Sequence, residues 1–166
     1  MIKSVGAQFM IIGHSDNRSE GDTDDMLKSK VESSLNNKLK VVFCIGENKT
    51  DKKKNRTFKV LKKQIENVLE NRFNQSDIIV AYEPIWSIGT GKIPEAKDLL
   101  KTTIFIKKIL RNIFKKTNSP PVLYGGSVDA GNIGQFKTLS EIDGFLIGGA
   151  SKSDKKFIDI IKNYYR

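Results

Sequence analysis

In IIVAYEPIWSIGTGK, residues 78–92, an unbroken apolar run ends on a carboxylate, Glu83, and passes at once to Pro84, Trp86 and two glycines, Gly89 and Gly91. A short β-branched and aromatic run without polar alternation predicts a strand covered on both faces, as in parallel sheets. The same theme recurs in FMIIGHS (9–15), KVVFCIGE (40–47), PVLYGGS (121–127) and GFLIGGAS (144–151). Between these runs, helical segments are expected at about 23–35, 52–72, 94–116, 130–136 and 154–164. Pro120 and Pro121 stop a helix and lead into the fourth run. Five alternations of strand and helix predict an α/β domain with a helix-covered parallel sheet, because parallel neighbours need a crossover connection.

Composition agrees with one packed domain: 166 residues, 38% of them hydrophobic, suffice for a core. Cys44 is the only cysteine, so no intrachain disulfide can form. Within VVFCIG it is expected to act as a small buried hydrophobe in a reducing cytoplasm. The leading residues hold only four consecutive apolar side chains, 9–12, too few for a signal peptide or membrane span. A net charge of +10 would suggest nucleic acid if the cations lined an aromatic groove. Instead KKKNR (52–56) opens a segment in which Phe58, Leu61, Ile65, Val68 and Leu69 recur at helical spacing, leaving Lys59, Lys62 and Lys63 to water. Neither a nucleic-acid nor a membrane partner is therefore expected, although the charge can draw anionic ligands inward.

The chemically distinctive residues cluster where the strands end. His14, Glu47, Glu83, the Gly125-Gly126-Ser127 turn and the Gly148-Gly149 turn each follow an apolar run. Parallel α/β proteins build sites at these ends, where side chains converge and the next helix offers free N–H groups. All five are expected to meet at one site. Alone, a glutamate ending a strand is more often a cap or surface ion pair, and a lone histidine more often structural.

GHSDNR, CIGE, AYEPIWSIGTGK, LYGGSV and GFLIGGAS, in this order and from Met1 to the C-terminus, resemble the triosephosphate isomerase family. The resemblance implies a TIM (β/α)8 barrel fold, here a partial barrel of about five parallel units, with residues 1–166 as one domain lacking the first three. It also implies interconversion of glyceraldehyde 3-phosphate and dihydroxyacetone phosphate, a step of glycolysis and gluconeogenesis, without metal or cofactor. Glu83 then resembles the base that moves a proton between adjacent carbons, and His14 a neutral donor to the substrate oxygens; these roles come with the family. Pro84, Ile85 and Trp86 resemble the first hinge of a lid whose tip is 87–91. Backbone N–H groups of Gly89, Ser127, Gly148 and Gly149 would bind the phosphate.

Departures from the family pattern shape the expectation. A complete barrel takes about 250 residues, roughly 31 per unit, so the chain reads as a fragment or the product of a late start codon. With the first three units go an asparagine and a lysine after the first strand and the third loop that interdigitates in the homodimer. An impaired isomerase is expected, the alternative being an inactive remnant that only binds phosphate ligands. Asp16 shortens a usual glutamate, and Asn17 replaces an arginine, which should weaken a local ion-pair network. Pro94 has no N–H for Tyr124 at the lid's second hinge. A bond from the Gly91 N–H to the Ser127 hydroxyl remains open. Five strands cannot close, so two edges and part of the interior should face water.

Overall fold

Five parallel strands form one sheet in chain order: β1 (Phe9–Ile12), β2 (Lys40–Ile45), β3 (Ile78–Tyr82), β4 (Val122–Tyr124) and β5 (Gly144–Phe145). The computed structural model describes residues 2–166; Met1, where the family likeness begins, lies outside the described residues. Crossovers run through α1 (Ser15–Ser19) and α2 (Asp24–Asn36), α3 (Lys49–Lys53) and α4 (Thr57–Val68), α5 (Ala96–Phe114), and a 3-10 turn at Ile133–Phe136; α6 (Asp154–Tyr165) follows β5. Among the described residues no helix is long and apolar enough to cross a membrane.

Side chains alternate along a strand, so the sheet presents two sets. Val41, Phe43 and Ile45 with Ile78, Val80 and Tyr82 face the helices, and pack with Leu27 and Val31 of α2, Leu61 and Ile65 of α4, and Leu99, Ile106 and Leu110 of α5. This layer is the main core. Val42, Cys44 and Ala81, with Ile79, Leu123 and Leu146 beside them, make a thinner apolar layer on the other face, where among the described residues no helical one joins them. Register places Ile11 opposite Val42 and Phe9 opposite Lys40 on that face. Ile11 is 51% exposed and Phe9 47%. Among the described residues the sheet is open, with β1 and β5 each paired on one side only, as expected for a partial barrel.

Local chemistry moves several expected boundaries. The sequence predicts one helix over 52–72, but the structure divides it, because Asn55 adopts a left-handed φ of 55° that an α-helix does not carry. The short α3 has its own cap, the Asn48 side chain accepting the Asp51 N–H at 2.9 Å. Helix α4 ends at Val68 because Leu69 turns extended and enters the core. Phe58, expected inside, is 45% exposed and stacks on Phe105 of α5 at 4.5 Å between ring centres. Lys59, Lys62 and Lys63 do face water. The segment 130–136 forms only a 3-10 turn, since the Asp129 carboxylate claims the N–H groups of Gly131 and Asn132 at 2.8 and 3.0 Å. Thr23 caps α2 through the Met26 N–H, close to its expected start.

Candidate active site

Glu83 follows β3 with the parity of Ile79 and Ala81, so its side chain leaves the sheet on the thin-layer face at the C-terminal end. Its N–H donates to the Ile45 carbonyl at 2.7 Å, and the residue is 3% exposed. Two glycines make this placement possible by close approach. A Cβ on Gly46 would lie 1.8 Å from the Glu83 carbonyl oxygen, and one on Gly125 would lie 2.7 Å from Glu83 Cγ. Burial raises the carboxyl pKa, opposed by His14 and by a hydrogen bond from the Cys44 thiol. Burial first, then the Glu83 charge, push that thiol up in turn, so it stays a donor. Cys44 is buried as expected, but its bond to Glu83 was not legible as a sequence pattern. Its only trace is register, because Cys44 pairs with Ala81, two residues before Glu83.

His14 lies just beyond β1 and caps α1, its Nδ1 accepting the Asp16 N–H at 3.3 Å. With Nδ1 accepting, the neutral ring carries its proton on Nε2. That nitrogen is 3.7 Å from Glu83 Oε1. Behind the histidine, Arg18 donates to the carbonyls of Gly13 at 2.8 Å and Cys44 at 3.1 Å and pairs with Asp24 at 3.4 Å. Burial lowers the Arg18 pKa, while Asp24 opposes the shift. Arg18, next to Asn17, thus ties the end of β1 to that of β2.

Glu47 does not join this site, contrary to expectation. It continues the parity of Phe43 and Ile45 and so turns to the helix side, fully buried. There its carboxylate accepts the Tyr82 hydroxyl at 3.1 Å and the Trp86 indole N–H at 2.9 Å, while its carbonyl accepts the Ile85 N–H at 3.1 Å. Glu47 anchors the base of the loop that follows Glu83. The body of this loop is tied to the turn after β4: the Gly91 N–H donates to Ser127 Oγ at 3.1 Å, and that hydroxyl donates to the Ser87 carbonyl at 2.6 Å. Pro94 offers Tyr124 no N–H, as expected, and the Tyr124 hydroxyl pairs instead with Ser87 Oγ at 3.0 Å. Gly126 is required here, since a Cβ would come within 2.2 Å of the Tyr124 hydroxyl.

A cavity of about 640 Å³ gathers His14, Glu83, Gly89, Ser127, Gly148 and Gly149 on its wall. The six residues to which the family resemblance gives catalytic or phosphate-binding roles therefore share one space, while Glu47 stays outside it. Ile88, Val128 and Ile147 supply apolar wall, and a 3-10 turn at Gly149–Lys152 begins beside the glycine pair. The arrangement offers a buried carboxylate, an imidazole and exposed glycine backbone beneath a loop: parts suited to moving a proton on a small anionic molecule.

The family model described as triosephosphate isomerase matches residues 1–164. A triosephosphate isomerase of Thermodesulfovibrio yellowstonii is 37% identical over 164 residues, covering 98% of this chain and 67% of that protein. Those of Mycoplasmoides gallisepticum and Yarrowia lipolytica are each 37% identical, with 97% and 98% of this chain and 66% of each relative covered. The chain spans about two thirds of the length of these curated relatives.

Proposed function

Because the chain belongs to the triosephosphate isomerase family, we propose that it carries the proton-transfer chemistry interconverting glyceraldehyde 3-phosphate and dihydroxyacetone phosphate. The observation that supports this most is the Glu83 carboxylate, buried in the cavity wall 3.7 Å from His14 Nε2. Glu83 takes a proton from the carbon beside the substrate carbonyl and returns it to the neighbouring carbon. Burial raises its pKa, which makes it a stronger base than a solvated carboxylate. His14 Nε2–H donates to the substrate oxygens as negative charge develops on the enediolate. Backbone N–H groups at Gly89, Ser127, Gly148 and Gly149 hold the phosphate, and the loop over Glu83 excludes water.

The open sheet qualifies the activity. Ile11 lines the cavity yet is half exposed on the uncovered face, so water reaches one side of the site. Efficient turnover requires further parallel strand–helix units to cover that face and supply the cation the family pattern places beside the phosphate. Without such units the cavity retains phosphate binding but little catalysis. The test is isomerase turnover of the purified chain, alone and mixed with the remaining third of a relative. Glu83→Asp and His14→Gln should each lower kcat much more than they raise KM. Unchanged turnover in either variant would refute the assigned role.

A further inference from the structure

We infer that Lys52 is a positioning residue, a clasp that holds the two flanks of the loop over Glu83 together. The inference rests on reading that loop as the lid of the proposed site. Lys52 lies on α3, five residues beyond Glu47. Its ammonium makes two contacts, on opposite sides of the lid in sequence. Before the lid, Lys52 Nζ sits 5.8 Å from the centre of the Trp86 ring, whose N–H is held by Glu47. After the lid, it donates to Asp98 Oδ2 at 3.1 Å, in the first turn of α5. One cation therefore bridges residues 86 and 98, between which the lid rises and returns.

The chemistry suits a reversible clasp. An ammonium over an indole face and a half-exposed ion pair each stabilise only modestly, so together they bias a local opening without locking it. The tighter tethers lie elsewhere: Glu47 fixes the first flank from below, and Ser127 holds the tip from the β4 turn. Of these groups, Lys52 alone touches both flanks. Releasing it frees the α5 end of the lid to swing relative to Trp86 while the strand that carries Glu83 stays put.

Hydrogen exchange on the full chain tests this without substrate. In Lys52→Met, which keeps the aliphatic stem and removes the charge, amides of 87–92 should exchange roughly fivefold faster, the scale of such weak contacts. Amides of Phe43 and Val80, in the central strands, should not change. Lys52→Arg should restore lid exchange to within about twofold, because a guanidinium serves both contacts. Trp86, the only tryptophan, should show a shifted emission in Lys52→Met and a near-native one in Lys52→Arg. Unchanged lid exchange in Lys52→Met would overturn the inference, as would equal acceleration of the central strands or failure of arginine to rescue. The two ideas fail separately: absence of isomerase chemistry leaves the exchange result standing, and unchanged exchange leaves the roles of Glu83 and His14 intact.

Discussion

Replacing Gly46 by alanine should separate β2 from β3 at the point where Glu83 is held. The added Cβ would lie 1.8 Å from the Glu83 carbonyl oxygen and 2.6 Å from its carbon, both backbone atoms with no rotamer to yield. Carbon–oxygen contacts settle near 3.3 Å, so the two chains must part by about 1.5 Å. That movement breaks the Glu83 N–H bond to the Ile45 carbonyl at 2.7 Å and the paired bonds between Gln64 and Gly46 at 2.9 and 3.1 Å. Three hydrogen bonds at about 1 kcal/mol each, plus roughly 1–3 kcal/mol of overpacking, give a loss of about 4–6 kcal/mol. Such a loss is a large part of the ~5–15 kcal/mol that stabilises a typical domain. Urea unfolding followed by Trp86 fluorescence reads it directly. With a slope near 2 kcal/mol/M the midpoint should fall by roughly 2–3 M. Gly134→Ala is the control, since its Cβ meets nothing within 4 Å, and its midpoint should stay within about 0.3 M of the parent. A Gly46→Ala midpoint within about 0.5 M of the parent would refute the close-approach argument.

Glu83 predicts a pH effect: its pKa is raised in the folded chain above the ordinary 4.5, so the folded state holds that proton more tightly than the unfolded one. Its stabilising contribution is full below about pH 4.5 and is lost as pH rises through the folded value. Glu83→Gln should therefore gain stability relative to the parent as pH climbs from 4 to 8. A urea midpoint difference that stays flat over that range would contradict the burial argument. Glu47→Leu should strand the Tyr82 hydroxyl and the Trp86 N–H, costing about 2–5 kcal/mol. Glu47→Gln, which keeps an acceptor, should cost less than half as much by the same unfolding assay, and equal losses would show that hydrogen bonding is not the cause.

Much of this was legible along the chain. Five apolar runs and their intervening helices were readable because burial on both faces of a strand selects one residue type locally, and the helix-covered parallel sheet followed from connection length. The motif order named six residues that the structure brings onto one cavity wall, His14, Glu83, Gly89, Ser127, Gly148 and Gly149, and strand ends told where they meet. The helix over 52–72 was misread because a left-handed Asn55 leaves no mark in hydrophobic period.

What the linear sequence determined by itself is therefore what depends on local burial and on motifs: element type, element order and the residues that gather at the strand ends. Which side of the sheet each of those residues serves was decided only by tertiary structure. Glu47 and Glu83 both end an apolar strand, yet strand parity and register turn one beneath the loop that follows Glu83 and the other into the cavity. The same holds for Cys44, an ordinary buried thiol in sequence, which reaches Glu83 only because β2 and β3 pair in one register. Lys52 reads as one more solvated lysine until α5 brings Asp98 to it across 46 residues. Such contacts depend on distances between chain segments that loop closure and packing settle jointly, and no short window of sequence contains them.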